Sequence, residues 1–85
     1  MNTVRQYYRV DRHRINMVRF IFEAYEGVAV VTTLDAARGS IVLAVAPGCT
    51  ETARMVMNDL GRHFLIEPCS APVKVESNSN EADND

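Results

Sequence analysis

The chain is poor in the residues that usually announce chemistry. It has two cysteines and two histidines in 85 residues, and no tryptophan. Cys49 and Cys69 form neither a CxxC pair nor a metal-ligand spacing, which excludes a zinc module of the usual kind. Free thiols are expected for both, because disulfides belong to oxidising compartments. His13 and His63 show no HxH or HExxH spacing, so no metal and no cofactor is expected. No apolar run approaches the roughly 18 residues that a membrane-spanning helix needs. The opening MNTVRQYYRV has no apolar h-region, so no signal peptide is expected and the cytoplasm is the expected compartment.

What is present is an ordinary globular composition, 47% apolar and 24% charged, in a length that allows one domain. A chain this short buries only about 60% of the surface its unfolded form exposes. Its core is therefore marginal unless a partner chain adds to it. The net charge is −2 and unevenly spread. Residues 1–20 hold five arginines against Asp11, a net +4, whereas residues 73–85 hold Lys74 against four acids, a net −3. Such asymmetry points to an anionic partner or to self-complementary solubility.

Periodicity predicts the elements. Val4–Val10 reads as a strand, with Val4, Gln6, Tyr8 and Val10 on one face and Arg5, Tyr7 and Arg9 on the other. Asp11 offers an N-cap to a helix over residues 12–26, in which Ile15, Val18, Phe22 and Tyr25 form the apolar stripe and Gly27 the stop. Arg12, His13 and Arg14 oppose the macrodipole at its start. Val28–Leu34 is strongly β-forming. A turn over Asp35–Ser40, with Gly39 free to take positive φ, leads into a central strand over Ile41–Ala46. Pro47-Gly48 breaks that strand, and Thr50 caps a helix over 51–60 that carries Ala53, Val56, Met57 and Leu60 on one face. Phe64–Cys69 is a last strand, held to an edge by Pro68. Residues 1–69 thus make the domain, and the acidic polar residues 70–85 are expected to be disordered.

Strand, helix, strand, strand, helix, strand is the split βαβ pattern. The expected fold is α+β: a ferredoxin-like βαββαβ sandwich with a four-stranded antiparallel sheet of order 4-1-3-2 and two helices on one face. Strand two is then an apolar edge without lysine or proline, an aggregation hazard unless covered. A homodimer through Val28, Val30, Val31 and Thr32 is expected, with Met17, Phe20 and Ala24 adding apolar surface on the first helix.

The same topology gathers loops. Asp11, His13, Asp35, Arg38 and His63 are expected at one end, as a site for a small polar ligand. Cys49 and Cys69 are expected at the other end. Cys49 opens a helix, where a thiolate is favoured, but no histidine is expected near it, so a thiol enzyme is the third reading. Arg5, Tyr7 and Arg9 on the open sheet face make an RNA-binding domain the second. The central strand IVLAVA, however, has neither aromatic nor basic residues, so the usual RNA-recognition pattern is absent and nucleic acid is not the expected partner. Tyr25, Met17, Phe20 and Met55 form a further apolar surface, read as packing.

Three stretches carry a family likeness: YRVD before the first helix, FIFEAYEGVAVVTTLD across helix and strand, and APGC before the second helix. Together they make the segment from Tyr7 to Thr52 resemble a bacterial family of short uncharacterised proteins, domain of unknown function 4911. The resemblance implies an ACT-like or ferredoxin-like fold and brings no assigned chemistry. ACT regulatory domains carry an Asp-x-Pro-Gly-like first turn and bind amino acids at dimer interfaces. The corresponding VDRHRI has the aspartate but neither proline nor glycine. The leading expectation is a non-catalytic regulatory module that binds a small ligand or a protein.

Overall fold

The structure, a computed structural model, describes residues 3–71. It contains β1 (Val4–Val10), a 3-10 turn (Arg12–Arg14), α1 (Ile15–Ala24), β2 (Ala29–Asp35), β3 (Ser40–Val45), α2 (Thr50–Leu60) and β4 (Ile66–Cys69). The strands form one antiparallel sheet of order β2-β3-β1-β4, which is the expected order read from the other edge. The fold is α+β.

Side-chain alternation sets the layers. Ile41, Leu43 and Val45 on β3 are fully buried in one core with Val10, Val31, the α1 residues Ile15, Val18 and Phe22, and the α2 residues Ala53, Val56, Met57 and Leu60. Both helices therefore cover the same sheet face. Val42 is buried too, although it points to the open face, where Tyr7 and Thr32 stand opposite it on the flanking strands.

Local chemistry moved several boundaries. The first helix does not begin as α. The Asp11 carboxylate accepts the His13 N–H at 2.9 Å and the Asp11 carbonyl accepts the Arg14 N–H at 2.8 Å, which tightens the basic segment into a 3-10 turn. α1 then ends at Ala24 with Tyr25 as its C-cap, and Gly27, at φ 82°, belongs to the turn that follows. Val28 lies in that turn, its N–H donating to the Tyr25 carbonyl at 3.1 Å, so β2 starts one residue later than expected. Thr50 is the first residue of α2; Cys49 holds the cap position without a side-chain hydrogen bond. β4 is short because Arg62, His63 and Phe64 donate back to Asp59 and Leu60, prolonging the end of α2 as turns.

Gly39 locks the hairpin onto β1. It has φ 73°, and its carbonyl accepts the Val10 N–H at 2.8 Å. A Cβ there would overlap the Val10 carbonyl oxygen. Only glycine suits such a close approach at positive φ.

The other end of β1 is open. β3 pairs with it from Val4 to Arg9, but β4 pairs only from Tyr7 to Val10. Among the described residues, the outer edge of Val4–Gln6 has no strand beside it. The expectation of a disordered tail falls on residues 72–85, which lie outside the described residues; Ser70 and Ala71 are in neither helix nor strand.

Candidate functional site

Where β4 stops, a groove opens between β1, α2 and β4. It has a volume of about 760 Å³, within the range of small-ligand sites. Side chains from both faces of β1 line the groove, Arg5 and Gln6 from its bare edge and Tyr7 and Tyr8 from the stretch that β4 still pairs; Arg5 and Tyr7 stand on the open face, Gln6 and Tyr8 on the helix face. α2 and the turn after it add Arg54, Asn58 and Arg62, which recur every four residues and so rise along one line of the helix. Met57, Ile66 and Pro68 supply apolar wall.

The groove is electropositive. Among the described residues the one ion pair joins Arg38 to Asp35, so none of Arg5, Arg54 and Arg62 has a carboxylate partner there. The half-buried Tyr8 phenol sits among them. Its oxygen donates a long hydrogen bond of 3.4 Å to Gln6 Oε1. Burial pushes its pKa up, and the Arg54 cation opposes that rise by favouring the phenolate. Guanidinium groups stay charged at any ordinary pH and offer forked donors, which suits them to phosphate or carboxylate.

The residues expected at the opposite end fare differently. Asp11 and Arg38 do meet, in a shallow cleft of about 420 Å³ that Arg9, Arg12, Val10, Ala37 and Leu65 also line. His13, Asp35 and His63 do not line it. The carboxylates at this end are engaged in turns. Asp11 caps the 3-10 turn, and Asp35 accepts the Ala37 and Arg38 N–H groups at 3.1 and 3.2 Å. Among the described residues no three of His, Cys, Asp and Glu come together as a metal-binding set.

Cys49 and Cys69 are free thiols, Cys49 at the cap of α2 and Cys69 at the end of β4. Cys49 Sγ lies 4.0 Å from the Gly27 carbonyl oxygen before β2, whereas Cys69 faces Tyr7 across β4 and β1 and lines the groove. Of the four residues expected at a dimer edge, Val31 belongs to the core and the partly buried Val28 packs against it. Val30, 66% exposed, and the exposed Thr32 lie on the open face. No helix among the described residues is long and apolar enough to cross a membrane.

Sequence reasoning missed Gln6, Tyr8, Arg54, Asn58 and Arg62 as site residues. The usable signal was the four-residue spacing of Arg54, Asn58 and Arg62, together with a fourth strand too short to cover the first.

The model of one protein family, a domain of unknown function (DUF4911), matches residues 8–63. No curated protein and no solved structure matches the chain.

Proposed function

The chain belongs to the DUF4911 family, and we propose that it is a non-catalytic, homodimeric binding module that takes a small anionic ligand in the groove between β1, α2 and β4. One observation carries this reading: Arg5, Arg54 and Arg62 line one groove and have no carboxylate partner among the described residues. An anion with a flat or apolar body matches the remainder, since Tyr7 and Tyr8 offer ring faces and Met57, Ile66 and Pro68 an apolar wall. The groove's polar groups favour holding over transforming. Arginine does not exchange protons near neutrality, and the Tyr8 phenol is shifted further from it by burial.

We read the fold as ferredoxin-like, from its βαββαβ order and its sheet order, and the cytoplasm as its compartment. The homodimer is supported by apolar side chains turned outward: Val30 on β2, Phe20 on α1, 69% exposed, and Met55 on α2, 65% exposed. A second reading, single-stranded RNA, is favoured by Arg5, Tyr7 and Arg9 alternating onto the open sheet face.

A thermal-shift titration tests the groove. Inorganic phosphate, pyrophosphate, a mononucleotide and an aromatic carboxylate are added to the full chain at low salt. A ligand that binds only the native state raises Tm in proportion to its saturation. At least one anion should do so, and Arg54→Gln/Arg62→Gln should weaken it tenfold or more, because each charge-assisted hydrogen bond contributes about 1.5–3 kcal/mol. A response to none of the four, or an equal response from the variant, rejects the groove. A response to oligonucleotide alone moves the reading to RNA.

A further inference from the structure

The chain carries its own candidate for the groove. We infer that the acidic segment 72–85 docks against Arg5, Arg54 and Arg62 of the same molecule and competes there with external anions. This rests on the proposal that the groove receives anions, and it names what regulates that site.

Three observations converge. The first is position. β4 runs antiparallel to β1 and ends at Cys69, and Ala71, the last described residue, itself lines the groove. The segment therefore starts at the groove rim.

The second is charge. Residues 72–85 hold Glu76, Glu81, Asp83 and Asp85 against Lys74. The groove holds three arginines and no acidic residue. The sign is complementary, and no carboxylate among the described residues occupies the guanidinium groups.

The third is reach. Glu76 stands five residues beyond Ala71, a span of at most about 17 Å when extended. The three acids beyond it have more slack, so several carboxylates can fold back on the arginines at once. Tethering turns each weak contact into an intramolecular one at an effective concentration of the order of millimolar. Contacts of this kind are screened by salt. A free anion at comparable concentration, with a tighter fork geometry, displaces them.

Arginine labelling with phenylglyoxal, read residue by residue by peptide mass spectrometry, tests this without any ligand. The full chain is compared with a full-length variant in which Glu76→Gln, Glu81→Gln, Asp83→Asn and Asp85→Asn neutralise the segment. Docking predicts several-fold slower labelling of Arg5, Arg54 and Arg62 in the native chain at low salt, with Arg12 and Arg38 labelled equally in both. The protection should vanish at about 1 M salt, where the Debye length falls to about 3 Å. Equal labelling of the groove arginines in the two chains overturns the inference. Protection that grows with protein concentration also overturns it, because the segment then lies on a second copy. Pyrophosphate titration of both chains separates this inference from the groove reading. Tighter binding by the neutralised variant supports competition, and equal binding by both chains keeps the groove but removes the segment from it. Protection without any pyrophosphate binding keeps the docked segment and rejects the ligand site.

Discussion

The two ends of β1 hold similar residue types and use them differently. At its C-terminal end the polar groups are locked into turns. Val10 donates to Gly39, Asp11 donates to Leu65 and caps His13, and Asp35 caps the hairpin and faces Arg38. At its N-terminal end β4 has stopped, and Arg5 lines an open groove that runs along α2 past Arg54 to Arg62, with no carboxylate partner for any of the three among the described residues. The first end is polar because turns need caps. The second is charged with no structural demand visible for it. Charge that the fold does not use is the better guide to function, since holding like charges together costs stability unless a ligand offsets it.

The contrast breaks most readily at Gly39. Gly39→Ala places a Cβ against the Val10 carbonyl and forces positive φ on a residue that resists it. Backbone strain of this kind combined with a steric clash should lower stability by about 3–5 kcal/mol. Urea unfolding measures it. A loss below about 1 kcal/mol would mean that the hairpin end is soft, and the division into a structural and a functional end would fail.

The comparison also shows what could be read in advance. Both helices, all four strands and their order follow from apolar periodicity and from turn residues such as Gly39 and Pro47. Side-chain alternation alone placed Arg5 and Tyr7 on the open face and Val10 in the core, as observed. The groove was not legible, because it depends on a length. Residues 62–64 were read as leading into, or as part of, the last strand, but their N–H groups turn back to Asp59 and Leu60. That shortens β4 and bares the edge of β1. Asp11 and Asp35, the carboxylates expected at a ligand site, lie instead at the end where turn N–H groups occupy them. Boundaries moved where a backbone group had a nearer partner than the regular ladder offered, as at Arg14 and Val28.

A smaller effect sharpens the same contrast. Asp11→Ala removes the cap on the His13 N–H and should cost about 1 kcal/mol of unfolding free energy. Arg54→Gln and Arg62→Gln replace exposed side chains with no ion-pair partner among the described residues, and each should stay within about 0.5 kcal/mol of the native chain. The order should invert when anion affinity is measured: the arginine variants lose it and Asp11→Ala keeps it. If Asp11→Ala abolished anion binding while the arginine variants retained it, the two ends would have to exchange roles.

The finest test is the Tyr8 phenol. Its pKa is raised above the ordinary value near 10, first by burial, with Arg54 pulling in the opposite direction. The native state therefore holds this proton more tightly than the unfolded chain does. Its contribution to stability is whole below about pH 10 and is lost as the pH climbs through the raised native value. Tyrosinate absorbance near 295 nm follows the titration, and the component that disappears in Tyr8→Phe identifies the residue. In Arg54→Gln the cation that favours the phenolate is gone, so the Tyr8 component should move to still higher pH. An unchanged titration would place Arg54 away from the phenol in solution. Arg54 would then exert no field on Tyr8, and the reason to treat the arginines on α2 and β1 as one site would be lost.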